Sequence, residues 1–165
     1  ICLDMGHFHP TESVHDKLSA VLTFADRVLL HVSRGVRWDS DHIVILNDDV
    51  RNVFLELKRG NALQRAMIAL DFFDASVNRI GAWTIGTRAT QKAILAALLE
   101  PTAALLACEA RGDGAGRLGL MEEFKTLPLG AVWDYYCLTQ NVPVGVDWLR
   151  AMQTYEQRVL SRRQQ

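Results

Sequence analysis

The sequence predicts an α/β protein built on parallel strands, either a (β/α) barrel or an open α/β sheet. The first observation is a set of short continuous apolar runs, Ile1-Cys2-Leu3, Val28–Val32 and Ala66–Leu70, of the kind that forms strands buried on both faces of a parallel sheet. The second is that each run is followed by a polar cluster: Asp4 with His7, His31 with Asp39 and Asp41, Asp71 with Asp74. The third is the helical periodicity that separates the runs. In parallel α/β folds chemistry gathers at the carboxyl ends of strands, and a barrel of this type needs about eight such units, of which three are visible here.

Along the chain, Ile1–Asp4 reads as a strand end that is already the middle of an element, so the polypeptide is expected to be part of a longer one. Gly6 permits a turn and Pro10 blocks continuation. Ser13-Val14-His15-Asp16 resembles a capping box with Asp in place of Glu, and Val14, Leu18, Val21, Leu22 and Ala25 continue at helical spacing to about Asp26. Val28–Val32 is the second strand. His42–Leu46 is β-rich and is expected to form a short strand. Asn47-Asp48-Asp49 caps a helix carrying Val50, Val53, Phe54 and Leu57, with Gly60 as its C′ residue. Ala66–Leu70 is the third strand.

From Thr84 the chain reads as helical, with Ile94, Leu95, Leu98 and Leu99 as one face, and a second helix follows from Pro101 to about Ala110. Arg111–Gly116 carries alternating glycines but follows a helix, which excludes a dinucleotide-binding loop; it is expected to be a mobile surface loop. Further helices are expected over Leu118–Lys125, Leu129–Leu138 and Val146–Arg162, the last with an apolar stripe of Trp148, Leu149, Met152, Tyr155 and Val159.

Composition narrows the function classes. The chain has 165 residues, enough for one domain with a sizeable core, and a net charge of −1, which gives no electrostatic footprint for nucleic acid or an anionic membrane. No apolar run spans a bilayer: Ala93–Leu106 is interrupted by Glu100 and Pro101. Cys2, Cys108 and Cys137 are odd in number and lack metal-type spacing, as expected of thiols in a reducing cytoplasm, and no signal-peptide pattern opens the sequence.

The candidate chemistry lies in the three polar clusters. Asp39 and Asp41 are two residues apart, so in extended backbone they face one spot, and two carboxylates aimed at one point repel unless a cation or a shared proton sits between them. Hard divalent ions suit that arrangement, although a polar turn with an N-cap aspartate has the same signature. Asp4 and His7 fall on opposite faces of a strict strand but on one side of a helical turn starting near Gly6, a spacing at which both could serve one metal. His31 at a strand end reads equally as a hydrogen-bonded core residue. His15 reads as exposed, and His9 stays open.

Several blocks carry a family resemblance. Gly6-His7-Phe8-His9-Pro10-Thr11-Glu12, His31-Val32-Ser33-Arg34, Val36–His42, Leu70–Ser76, Ala82–Arg88, Met121–Lys125 and Trp133–Cys137 together resemble the L-rhamnose isomerases over nearly the whole chain. The resemblance implies the last three βα units of a (β/α)8 TIM barrel over residues 1–100, with a helical C-terminal extension over 101–165. It implies two divalent metal ions, Mn2+ first with Mg2+, Co2+ or Zn2+ as alternatives, and an aldose–ketose isomerisation between L-rhamnose and L-rhamnulose. Asp4, His31 and Asp71 would bind the structural metal. His7, Asp39 and Asp41 would bind the catalytic one, with Asp4 bridging, and Asp71 would also assist proton transfer. The family's remaining structural ligand, a glutamate, and a catalytic lysine two residues beyond it have no counterpart in this sequence. A cytoplasmic homotetramer with no nucleic-acid or membrane partner is implied. The alternatives are another sugar isomerase or epimerase of the xylose-isomerase-like barrels, or a catalytically incomplete piece that only contributes assembly surface. With three strands, Val28–Val32 and Ala66–Leu70 are each expected to lack a neighbour on at least one side.

Overall fold

A computed structural model describes residues 1–163. Three parallel strands, β1 (Cys2–Asp4), β2 (Val28–Val32) and β3 (Ala66–Leu70), form a sheet in the order β1-β2-β3. The chain crosses between them through α1 (His15–Phe24) and α2 (Asp48–Arg59), the second followed by a 3-10 turn at Leu63–Arg65. Five more helices complete it: α3 (Arg79–Leu99), α4 (Thr102–Ala110), α5 (Gly114–Lys125), α6 (Leu129–Thr139) and α7 (Asp147–Arg158), with a 3-10 turn at Leu160–Arg162.

The core sits on one face of the sheet. Val28, Leu30 and Val32 alternate along β2 and are fully buried against Leu18 of α1, Val53, Phe54 and Leu57 of α2, and Ala93 and Ala97 of α3. Leu29 and His31, on the opposite face, are only half-buried, and none of the β3 residues is buried. The strands are therefore covered on one side, whereas the apolar runs predict burial on both. The expected missing neighbours are also redistributed. β2 is paired on both sides, with Leu3↔Leu30↔Ile68 in register, and the open edges belong to β1 and β3.

Helix ends follow local chemistry. Asn47 caps α2 by accepting the Val50 N–H at 3.1 Å. Gly60 does follow this helix, but with φ −77°; the left-handed residue is Asn61, at φ 51°, an amide side chain tolerated there. The capping box at Ser13 is not formed, because the Ser13 hydroxyl turns to His15 Nδ1 at 2.5 Å and leaves α1 without a side-chain cap. His15, read as exposed, is half-buried between Ser13 and Asp16. His42–Leu46 forms no strand, only one antiparallel bridge between Arg34 and His42.

α3 begins five residues before the expected Thr84, since Asn78 accepts the N–H groups of Ile80 and Gly81 at 2.8 and 3.1 Å. Its buried face is the small-residue row Gly86, Ala89, Ala93, Ala96 and Ala97, which lets α2 approach; Leu98 and Leu99, expected on the packed face, point outward. Half of the expected Arg111–Gly116 loop is helix, because Asp113 caps α5 by accepting the Gly116 N–H at 2.8 Å. The stripe of α7 is only partly covered, with no fully buried residue. Cys108 and Cys137 are buried, Cys2 is exposed, and all three are free. Among the described residues no single helix is long and apolar enough to cross a membrane; α3 and α4 reach that length only across a 46° bend.

Candidate metal centre

The sheet register builds the first group. Asp4 pairs with His31 and His31 with Ala69, so the three occupy one row; Asp71 lies two residues past Ala69, where its N–H still reaches Val32 O at 3.3 Å. Side chains two apart on extended backbone share a face, so this row sets the positions of Asp4, His31 and Asp71. His31 Nδ1 lies 3.0 Å from Asp4 Oδ2 and 2.9 Å from Asp71 Oδ2. One ring nitrogen can donate one proton, so two carboxylates at that range are not both satisfied by it.

The second group comes from two loops. After Asp4 the chain turns, with the His7 N–H 3.4 Å from Asp4 O, and this brings His7 Nε2 to 3.9 Å from Asp4 Oδ2. Asp41 Oδ2 approaches the same nitrogen at 3.2 Å and Asp39 Oδ1 at 3.7 Å. The Asp39–Asp41 segment is not extended. Asp39 is left-handed, at φ 54°, and the Ser40 hydroxyl accepts the Val36 and Arg37 N–H groups at 3.2 and 3.0 Å. The extended geometry assumed by the alternation argument is not what brings these carboxylates near each other: a tight turn, not a strand, aims both at His7. Gly6 is required beneath them, because a Cβ there would overlap the Asp41 carboxylate.

Asp4 belongs to both groups, and the ligand atoms of Asp4, His31 and Asp71, like those of Asp4, His7 and Asp41, lie within 4.8 Å of one another. Asp4 is the most enclosed of the set, its side chain 10% exposed, and it accepts the Gly6 N–H at 2.9 Å and the Ser33 hydroxyl at 3.4 Å. Asp39 and Asp71 face solvent. Asp4 holds the His7 pKa above its ordinary value; lost hydration opposes this, and Asp41 and Asp39 add to it.

The residue set fits divalent cations. Four carboxylates converge on two imidazoles, and among the described residues no lysine or arginine reaches ion-pair distance of any of them. Asp41 Oδ1 is buried without a hydrogen-bond partner, an unmet acceptor that a cation would satisfy. Oxygen and imidazole donors without thiolate suit Mn2+, Mg2+ or Co2+.

Of the six residues singled out as ligands in the sequence, five fall in these two groups; Asp39 lies outside both and approaches only the His7 ring, at 3.7 Å. His9 is not among them; it bonds Thr11 at 2.6 Å and meets the Trp38 ring edge-on. Three further contributors had no role assigned from the sequence, although Asp74 was part of the third polar cluster: Ser33, which supports Asp4, and the pair His42 and Asp74, 3.6 Å apart across two loops. Asp74 is held by the Ser76 hydroxyl and N–H, which lower its pKa below the usual carboxylate value, with His42 adding to the effect.

Residues 1–163 match the family model described as L-rhamnose isomerase (RhaA). The chain is 58% identical over 163 residues to the L-rhamnose isomerase of Rhodopirellula baltica, covering 99% of itself and 38% of that protein. It is 55% identical over 163 residues to that of Escherichia coli O1:K1 / APEC and 54% to that of Citrobacter koseri, with 99% of the chain and 39% of each relative covered. It therefore spans about two fifths of the length of these curated relatives.

Proposed function

The chain belongs to the L-rhamnose isomerase family, and we propose that it supplies the last three βα units and the helical extension of a two-metal (β/α)8 isomerase interconverting L-rhamnose and L-rhamnulose. The observation that carries this is the Asp4 carboxylate standing between two His–Asp groups at the carboxyl ends of parallel strands. The boundary between barrel units and extension belongs near residue 100, where α3 ends at Leu99 and α4 starts at Thr102.

Asp4, His31 and Asp71 would hold one ion; His7 and Asp41, sharing Asp4, would hold the other, with Asp39, 3.7 Å from His7, as its further ligand, and Mn2+ suits both donor sets. When bound, such ions supply Lewis acidity, polarising two neighbouring sugar oxygens so that hydrogen can pass between C1 and C2. The protein's part is positioning and proton handling. Asp4 is locked by the Gly6 N–H and the Ser33 hydroxyl, so the spacing of the two sets is fixed before substrate arrives. Asp71, whose side chain is 56% exposed, would take the proton of a sugar hydroxyl and return it.

A homotetramer acting on a soluble sugar in the cytoplasm is part of the same proposal. Exposed apolar side chains on the late helices, Leu118, Tyr135 and Leu138, support an assembly surface. The test is chelation. Polypeptide carrying this chain, stripped with EDTA, should lose L-rhamnulose formation and recover it on addition of Mn2+; activity unchanged by chelation refutes the proposal.

A further inference from the structure

The loop that carries Asp39 and Asp41 has few internal bonds, so its position must be set by what it touches. Its base is closed by the Arg34–His42 bridge, with backbone bonds of 3.0 Å in both directions. The Ser40 N–H reaches Gly6 O in the β1 loop at 3.1 Å. On the other side, the Phe73 N–H reaches Asp41 O at 3.3 Å, and Asp74 Oδ2 lies 3.6 Å from His42 Nδ1. Both of these contacts come from the segment after β3 that also carries Asp71.

The Asp74 side chain is only 14% exposed, and its Oδ1 is fixed separately by the Ser76 N–H at 3.0 Å and by the Ser76 hydroxyl. Its two oxygens are thus divided: one anchors the carboxylate to its own loop and the other meets His42. His42 adjoins Asp41, whose buried Oδ1 has no partner of its own to hold it in place. Partners behind a ligand typically contribute about 10–100-fold in metal affinity by fixing its orientation.

We propose that Asp74 is a positioning residue: through His42 it clamps the Asp39–Asp41 loop to the β3–α3 segment, setting the second metal group at a fixed distance from the first. The proposal rests on the two-ion assignment above. It concerns neither a ligand nor a proton carrier but a strut between the loops that bear the two ligand sets.

The test is a Mn2+ titration of the full polypeptide carrying this chain, followed by electron paramagnetic resonance and calorimetry, for wild type, Asp74→Asn, His42→Gln and Ser76→Ala, with thermal unfolding recorded in parallel. Wild type is expected to take two Mn2+. Asp74→Asn and His42→Gln should each weaken one Mn2+ by roughly tenfold, leave the other unchanged, and give no larger effect when combined, because they break one contact. Ser76→Ala, which only frees the carboxylate within its own loop, should weaken the same ion by less. Two ions of wild-type affinity in Asp74→Asn and His42→Gln overturn the positioning role while leaving the two-ion assignment standing. Equal loss of both ions, or a loss that follows a lowered unfolding temperature, overturns it as well by making Asp74 a general folding residue. A wild-type polypeptide carrying this chain that binds fewer than two Mn2+ overturns the two-ion assignment itself.

Discussion

Gly6→Ala separates the two ligand groups more cleanly than removal of any ligand. A Cβ at Gly6 would overlap the Asp41 carboxylate and lie 2.8 Å from both Asp41 Cγ and Ser33 Oγ. Ordinary contact begins near 3.4 Å, so each neighbour must retreat by about 0.6 Å or more. Ser33 is 2% exposed and tied to Asp4, so Asp41, on its loop, is the group that gives way. Overpacking of this kind costs about 2 kcal/mol, which in a chain of this length lowers the unfolding temperature by roughly 4–8 °C. The larger effect should be on metal. The Asp4, His31 and Asp71 group lies on the sheet row and stays in place, so one Mn2+ should bind as in wild type and the other should weaken by tenfold or more. Differential scanning fluorimetry and Mn2+ calorimetry read the two effects separately. Two ions bound with unchanged affinity would show that Asp41 is not held over Gly6 and that the site geometry is wrong.

Three further outcomes follow from the same contacts. Arg59→Ala strands Glu100, whose side chain is 1% exposed and held by Arg59 at 2.5 Å, and should cost about 3 kcal/mol in urea unfolding, since removing one partner leaves a buried charge uncompensated. Ser76→Ala should raise the Asp74 pKa toward its ordinary 3.8 in an NMR titration, because the Ser76 bonds are the first cause of its depression. That depressed pKa stabilises the fold above pH 3.8 and the contribution is lost as pH falls through the folded value, so the acid limb of the wild-type stability curve should be steeper than that of the variant. Asp71→Asn should leave the secondary structure seen by circular dichroism intact, because the side chain is exposed, while weakening the ion held with His31; loss of fold would make it a structural residue instead.

The sequence was most legible where one local rule decides the outcome. Continuous apolar runs located all three strands, and Asn47 and the heptad-like Val50, Val53, Phe54 and Leu57 located α2 with its buried face. It was least legible where two rules compete. Ser13 had a choice between capping α1 and bonding the His15 ring, and the ring won. The helix α3 buries alanines instead of leucines, because close approach of α2 favours small side chains over large ones at that crossing, and no periodicity count weighs distance between helices.

The site shows the same division in sharper form. Asp4, His7, His31 and Asp71 stood out because each lies at or just past the carboxyl end of a strand, and a parallel register fixes what neighbouring strand ends share. Asp39 and Asp41 were readable as a pair only because spacing of two is compatible with convergence in more than one backbone conformation; the actual one is a turn with Asp39 at φ 54°. The left-handed residue costs energy that an extended segment would not, of order 1 kcal/mol, and it persists because Ser40 and Gly6 hold the turn from both sides. Asp74 was visible as part of the third polar cluster, but its pairing with His42 was not, since their meeting depends on where two loops of different strands end in space. Candidate ligands are thus visible one strand at a time, whereas contacts between the loops that carry them become visible only after the strands are laid side by side.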